Sequence, residues 1–241
     1  MATMQGISSD TWKVWSVAIC YWIATAALCC LFYPVTISDT IVRYAPMADH
    51  FARSEWSLAF HPRFGILFQV LAGCVAKLTG LGGDNAVQIV SVGFLSLSAV
   101  PLWFVVRHLF DARTAWWAVA LMLVSDDLSR YAIDGLRDTG KCLGFALVGL
   151  GAVRKKPLWY ALGLFVLATL VSYCFAVACA LLVGWCAYWA MARAQKPSVS
   201  TFIMPIVGWA AGSAAVVVQT HAFTGHWLPS PHYIKILGGV L

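Results

Sequence analysis

The sequence predicts an all-α, polytopic integral membrane protein with about seven transmembrane helices and juxtamembrane helices in the first outer loop. Three observations carry that prediction. Of 241 residues, 61% are hydrophobic and 11% charged, with a mean hydropathy of +0.79. A soluble domain is nearer a quarter charged and half apolar, and a sphere of this size has too little interior to hide so much apolar surface. Apolar runs recur along the whole chain, several of them near the roughly 20 residues that cross a hydrocarbon core. Between them, eight of the ten acidic residues fall in two polar stretches, 36–85 and 125–138.

The predicted spans are Val14–Val35, Val87–Val106, Thr114–Val124, Thr139–Val153, Leu158–Val171, Ser172–Met191 and Thr201–Gln219. The shorter ones must borrow flanking residues. The first run lacks a small-residue cleavage site near its end, so it reads as a span and not as a signal peptide. An eighth run, Phe64–Thr79, is broken only by Gln69 and Lys77; it either crosses or lies along the interface.

Other classes drop out. Nineteen Gly and nine Pro are too few for a low-complexity chain. The net charge of +6 comes from basic residues scattered between apolar runs, which forms no nucleic-acid patch. The eight cysteines all sit in apolar stretches without a CxxC pair, so they read as small buried hydrophobes, neither disulfides nor metal ligands.

Orientation follows from Lys and Arg in the loops. With seven spans and a cytoplasmic N-terminus, each side carries eight basic residues, but the tight cluster Arg154-Lys155-Lys156 lies inside. A crossing Phe64–Thr79 would move that cluster outside. The preferred topology keeps this run out of the count and leaves three outer stretches, 36–85, 125–138 and the tail 221–241.

Polar residues gathered on one face of a membrane protein point to function. After the first span come Ser38-Asp39-Thr40 and then Ile41, Tyr44, Ala48 and Phe51 at helical spacing, with Arg43, His50 and Arg53 on other sides. This predicts an amphipathic surface helix, kinked or restarted at Pro46, with Ser38 or Asp39 either a helix cap or a functional group. His61-Pro62-Arg63 opens the eighth run; Arg63 can hold a phosphate or snorkel to headgroups. Asp127, Arg130, Asp134, Arg137, Asp138 and Lys141 follow at steps that put them on one helical face leading into the fourth span. That stripe is either a solvated ion-paired face or a site, since charge entering the membrane costs about 2.5–3.5 kcal/mol. Gly225–Ser230, with His226 and Trp227, predicts a turn-rich loop or an aromatic belt.

Ser38-Asp39-Thr40 with Arg43-Tyr44 and Met47-Ala48, then Phe51-Ala52-Arg53, His61-Pro62-Arg63, Arg107-His108-Leu109-Phe110, Ser129-Arg130-Tyr131 and Asp134–Asp138 together resemble the GT-C membrane glycosyltransferases. The nearest branch is the family 39, protein-mannosyltransferase-like and aminoarabinose-transferase-like group, and the likeness runs through residues 1–241 as one transmembrane module. It implies a polyprenyl-phosphate sugar as donor and an acceptor (lipid, glycan or protein) on the outer face of a bacterial inner membrane or ER-like membrane. Juxtamembrane helices in the first outer loop follow from it too. By position, the acceptor-side catalytic role falls on Asp39, and donor-phosphate contacts fall on His61, Arg63, Arg137 and Lys141. Arg43, Tyr44, Asp134 and Asp138 support them. No cofactor is called for, and a divalent metal is left open.

The chain departs from the pattern in having Thr40 where an Asp-Glu pair is usual, and Ile66 near the position of an expected Lys. Family members usually carry further spans, so the alternative expectation is a non-catalytic subunit or truncated relative, completed by a partner chain, that binds a lipid-linked sugar without turnover.

Overall fold

The computed structural model describes residues 4–35, 37, 39–60, 65–170, 172–192, 197–224 and 227. Every element among them is helical: α1 (Met4–Phe32), a π-helical turn (Thr40–Tyr44), α2 (Ala45–Ala52), α3 (Trp56–Ala59), α4 (Ile66–Thr79), α5 (Gly83–Leu109), α6 (Ala112–Val124), α7 (Asp126–Ile133), α8 (Thr139–Arg154), α9 (Pro157–Leu170), α10 (Ser172–Met191) and α11 (Val199–Thr224). Three stretches are long and apolar enough to cross a membrane: Asp10–Phe32, Gly83–Leu109 and Val199–His221. The apolar helices α4, α6 and α9 have 14, 13 and 14 residues, about 20 Å each at 1.5 Å per residue.

α5 is the central post. In its most apolar stretch 67% of residues are buried in the protein, against 22% for α1 and 17% for α11. The outer helices instead present large apolar groups outward, among them Trp12, Ile23, Leu31 and Phe32 on α1 and Ile203 and Val207 on α11. Apolar exposure on that scale is the mark of a surface whose solvent is hydrocarbon. α1 stops at Phe32 because Pro34 disfavours helical geometry at the residue before it.

The bundle has two chemically different ends. At one, Asp10 of α1 lies 3.2 Å from Arg107 near the end of α5, within ion-pair range but off the hydrogen-bond line. Asp111 caps α6 there by accepting from the Thr114 amide, and the end of α8 meets the start of α9 where Gly151 packs on Tyr160. Trp185 of α10 donates to the Thr201 carbonyl of α11. At the other end lie the close of α1, the π-helical turn, α2 to α4, the start of α5, α7 and the start of α8. Gly65, just ahead of α4, donates its amide to Leu170 at the close of α9, and Phe68 stacks on Phe94 at 6.3 Å. α4 thus lies alongside the first three or so turns of α5 and ends at Gly80, three residues before α5 begins. α8 and α9 cross closely because Gly144 and Gly163 lack side chains: a Cβ on Gly163 would lie 2.6 Å from the Val148 nitrogen.

Several expectations need correction. The stripe from Asp127 to Lys141 is not one helical face: α7 ends at Ile133, Gly135 turns left-handed at φ +69°, and α8 starts at Thr139. Glycine is needed there because Gly135 packs against Val87, Thr40 and Gln88 with a backbone that L-residues avoid. Ile41 does not join the buried stripe of Tyr44, Ala48 and Phe51; it is 47% exposed. The π-helical turn between them has more residues per turn than an α-helix and shifts the register. Nor are the cysteines uniformly buried: Cys29 is, Cys20 is exposed on outward-facing α1, and Cys30, Cys74, Cys142, Cys179 and Cys186 are half-buried, all seven as free thiols.

Candidate functional site

At the polar end, side chains from α5 hold the two segments that carry the predicted site. Gln88, buried on the first turns of α5, donates to the Tyr33 carbonyl at 2.9 Å and to the Ile133 carbonyl at 2.7 Å. Ser91 donates to the Leu136 carbonyl and meets the Thr139 hydroxyl at 3.0 Å. The Thr40 hydroxyl donates to the Asp134 carbonyl at 2.6 Å. These buried bonds fasten the end of α1, the π-helical turn and the α7–α8 turn to one post. The Asp49 carboxylate, on α2, accepts from the Gly83 amide at 2.7 Å and sits where the α5 dipole favours an anion.

Tyr44 is the hub of the resulting cluster. It is buried, edge-on to Phe68 at 5.5 Å, and the Arg137 guanidinium lies 5.6 Å from its ring centroid, within cation–π range. Burial pushes the Tyr44 hydroxyl above its ordinary range; Arg137 and Arg43 oppose that, while Asp138 and Asp39 add to it. Charged groups of both signs therefore act on one phenol. The Asp39 carboxylate accepts from Arg43 at 2.6 Å, one helical step away, and makes no capping bond although it occupies the cap position. Lys141 donates to Asp138.

Of the predicted site residues, Asp39, Arg43, Tyr44, Arg137, Asp138 and Lys141 converge here. The buried Asp134 carboxylate lies 3.9 Å from Arg130, and its backbone carbonyl accepts from Thr40. His61 and Arg63 lie outside the described residues, as do Ser38 and the 225–230 loop apart from Trp227, which stacks on His221 at 3.7 Å. Beyond the cluster, His50, Arg53 and Glu55 form an exposed network in which the His50 hydrogen bond draws the Glu55 carboxyl below its usual range.

Between the close of α1 and the start of α5 a cavity of about 480 Å³ is lined by Cys30, Phe32, Tyr33, Ile41, Asp84 and Gln88 among others. It joins apolar α1 surface to polar groups, the boundary an amphiphile occupies. Among the described residues no group of three or more His, Cys, Asp or Glu side chains is arranged to hold a metal ion. The residues missed from the sequence are Thr40, Gln88, Ser91 and Thr139, which position the cluster. Gln88 and Ser91 carried a signal, since each is a polar side chain at the start of a predicted span. No protein-family model, curated protein or solved structure matches this chain.

Proposed function

We propose that this chain is a GT-C-like membrane glycosyltransferase, moving a sugar from a polyprenyl-phosphate donor to an acceptor on the outer face. The observation that carries the reading is the Tyr44 cluster, in which the carboxylates Asp39 and Asp138 and the cations Arg43, Arg137 and Lys141 meet at one end of an apolar helical bundle. A donor of this kind is wet at the sugar phosphate and apolar in its tail, so its reacting atoms belong at such an end.

In the proposed reaction the acceptor hydroxyl oxygen bonds to the anomeric carbon as the bond from that carbon to the donor phosphate breaks. Asp39 takes the hydroxyl proton. Polyprenyl phosphate leaves with its negative charge met by Arg137 and Lys141 in a site of low dielectric, while Arg43 and Asp138 orient the neighbouring groups. Attack opposite the leaving group inverts the anomeric carbon.

The same reading takes α1, α5, α6, α8, α9, α10 and α11 as seven crossings, with the N-terminus cytoplasmic. Its support is that consecutive members of this set exchange ends of the bundle, and that Lys13, Arg107, Arg113 and the Arg154–Lys156 cluster share the end away from Tyr44.

A second reading has an observation of its own. The Asp39 carboxylate is already paired with Arg43, and a base must release that partner to take a proton. A subunit that binds the lipid-linked sugar without turnover has no such need. Purified chain in lipid, supplied with a panel of polyprenyl-phosphate sugars and assayed for released polyprenyl phosphate, separates the two. The transferase releases it, and Asp39→Asn abolishes release while membrane insertion persists. Undiminished release by Asp39→Asn removes Asp39 as base; donor bound without release by the unaltered chain favours the second reading.

A further inference from the structure

The end of the bundle away from Tyr44 holds a second built feature. α1, α5, α8 and α9 leave between them a groove of about 320 Å³, lined by Trp15, Leu97, Phe104, Leu147 and Trp159 and, at the last residue of α8, by Arg154. Its wall on α8 runs from Leu143 to Arg154, about 16 Å of helix, so it is long, narrow and apolar. The two indoles are partly exposed at its rim, where amphipathic rings sit at a headgroup boundary. The Arg154 guanidinium is held 4.4 Å from the Phe104 ring centroid, and Lys155 and Lys156, both exposed, follow it.

A separate observation concerns Lys155. It closes α8 in the left-handed region at φ +53°, with the Lys156 amide bonding back to the Gly151 carbonyl. That position ordinarily belongs to glycine. Here a cationic side chain occupies it despite the steric strain.

We propose that this groove is a binding site for one acyl chain of an anionic phospholipid, whose phosphate is met by Arg154, Lys155 and Lys156. The apolar trough takes the chain, the indoles mark the glycerol level, and the three cations select negative headgroups over zwitterionic ones. The inference needs the chain to lie in a bilayer and nothing of the transferase chemistry at the opposite end.

Native mass spectrometry of the full chain, exchanged from detergent into equal amounts of phosphatidylglycerol and phosphatidylcholine, tests it. The expected result is retention of one phosphatidylglycerol in roughly tenfold or greater preference, the scale that two or three basic side chains supply at a membrane surface. Arg154→Gln with Lys156→Gln removes the preference, and Leu147→Trp, which fills the trough, removes the bound lipid of both kinds. Lys155→Gly is expected to melt no lower than the unaltered chain while losing part of the preference, so it reports on the cation apart from the fold. Equal retention of the two lipids by the unaltered chain overturns the proposal. So does a preference that survives groove filling, which is surface charge attraction alone, or one that survives both charge-removing variants.

Discussion

Replacing Gln88 by leucine tests whether the polar end is assembled on α5. The leucine keeps most of the volume and removes two donated hydrogen bonds, to the Tyr33 carbonyl at 2.9 Å and the Ile133 carbonyl at 2.7 Å. The two losses differ. At Tyr33, in the segment just past α1, the cost is a net bond, about 0.5–1.5 kcal/mol. The Ile133 carbonyl lies at the close of α7 beneath the Gly135 turn and is left without its donor, at about 1–3 kcal/mol. Together the change destabilises the fold by about 1.5–4.5 kcal/mol, a drop in thermal midpoint of roughly 3–18 °C for a chain of this length. Thermal unfolding of detergent-solubilised protein reads the midpoint. Amide exchange locates the effect, which is expected to be faster over 33–44 and 131–141 and unaltered in α11. Gln88→Glu, which has no N–H to donate, is expected to do at least as much damage. An unchanged midpoint with exchange unaltered in those two segments would refute the claim that Gln88 fastens them.

Further expectations concern packing and pH. Gly163→Ala pushes α8 from α9, because its Cβ would meet the Val148 backbone, and is expected to destabilise by about 1–3 kcal/mol. Gly184→Ala has nothing within 4 Å of its Cβ and gains about 0.8–1 kcal/mol of helix propensity, so opposite shifts in melting temperature are expected from the same chemical change. The Thr114 backbone amide holds the Asp111 carboxyl below the usual carboxylate range. The contribution of Asp111 is therefore present above the unfolded-state value and lost as pH falls through the lower folded-state value. Acid-induced fraying at the start of α6, followed by amide exchange, should vanish as a pH-dependent effect in Asp111→Ala, which lacks the titrating group.

Much of the fold was legible in the sequence because lipid imposes a simple rule: a run that is apolar on all sides and near 20 residues long becomes a helix. Val87–Val106 and Thr201–Gln219 appear inside α5 and α11, and Leu158–Val171 closely matches α9. Within the first polar stretch, Tyr44, Ala48 and Phe51 were readable as a buried face, and Pro46 as the start of a new helix. The charges of the candidate site could be named because ionised groups beside a membrane are costly without a use.

Register and convergence were not legible, since both depend on contacts between residues far apart in sequence. Helical spacing joined Asp127 to Lys141 into one stripe, yet the left-handed Gly135 splits it, and that turn exists because Thr40, Val87 and Gln88 pack against it from two other segments. The π-helical turn at Thr40–Tyr44 likewise sent Ile41 outward. Composition and periodicity act along one segment, and they determined that this chain is an apolar helical protein with eight of its ten acids in two stretches. The Asp39–Arg43 and Asp138–Lys141 pairs are each local in sequence, but their meeting around Tyr44 was decided by the hydrogen bonds of Thr40, Gln88 and Ser91, whose partners lie 45 to 94 residues away.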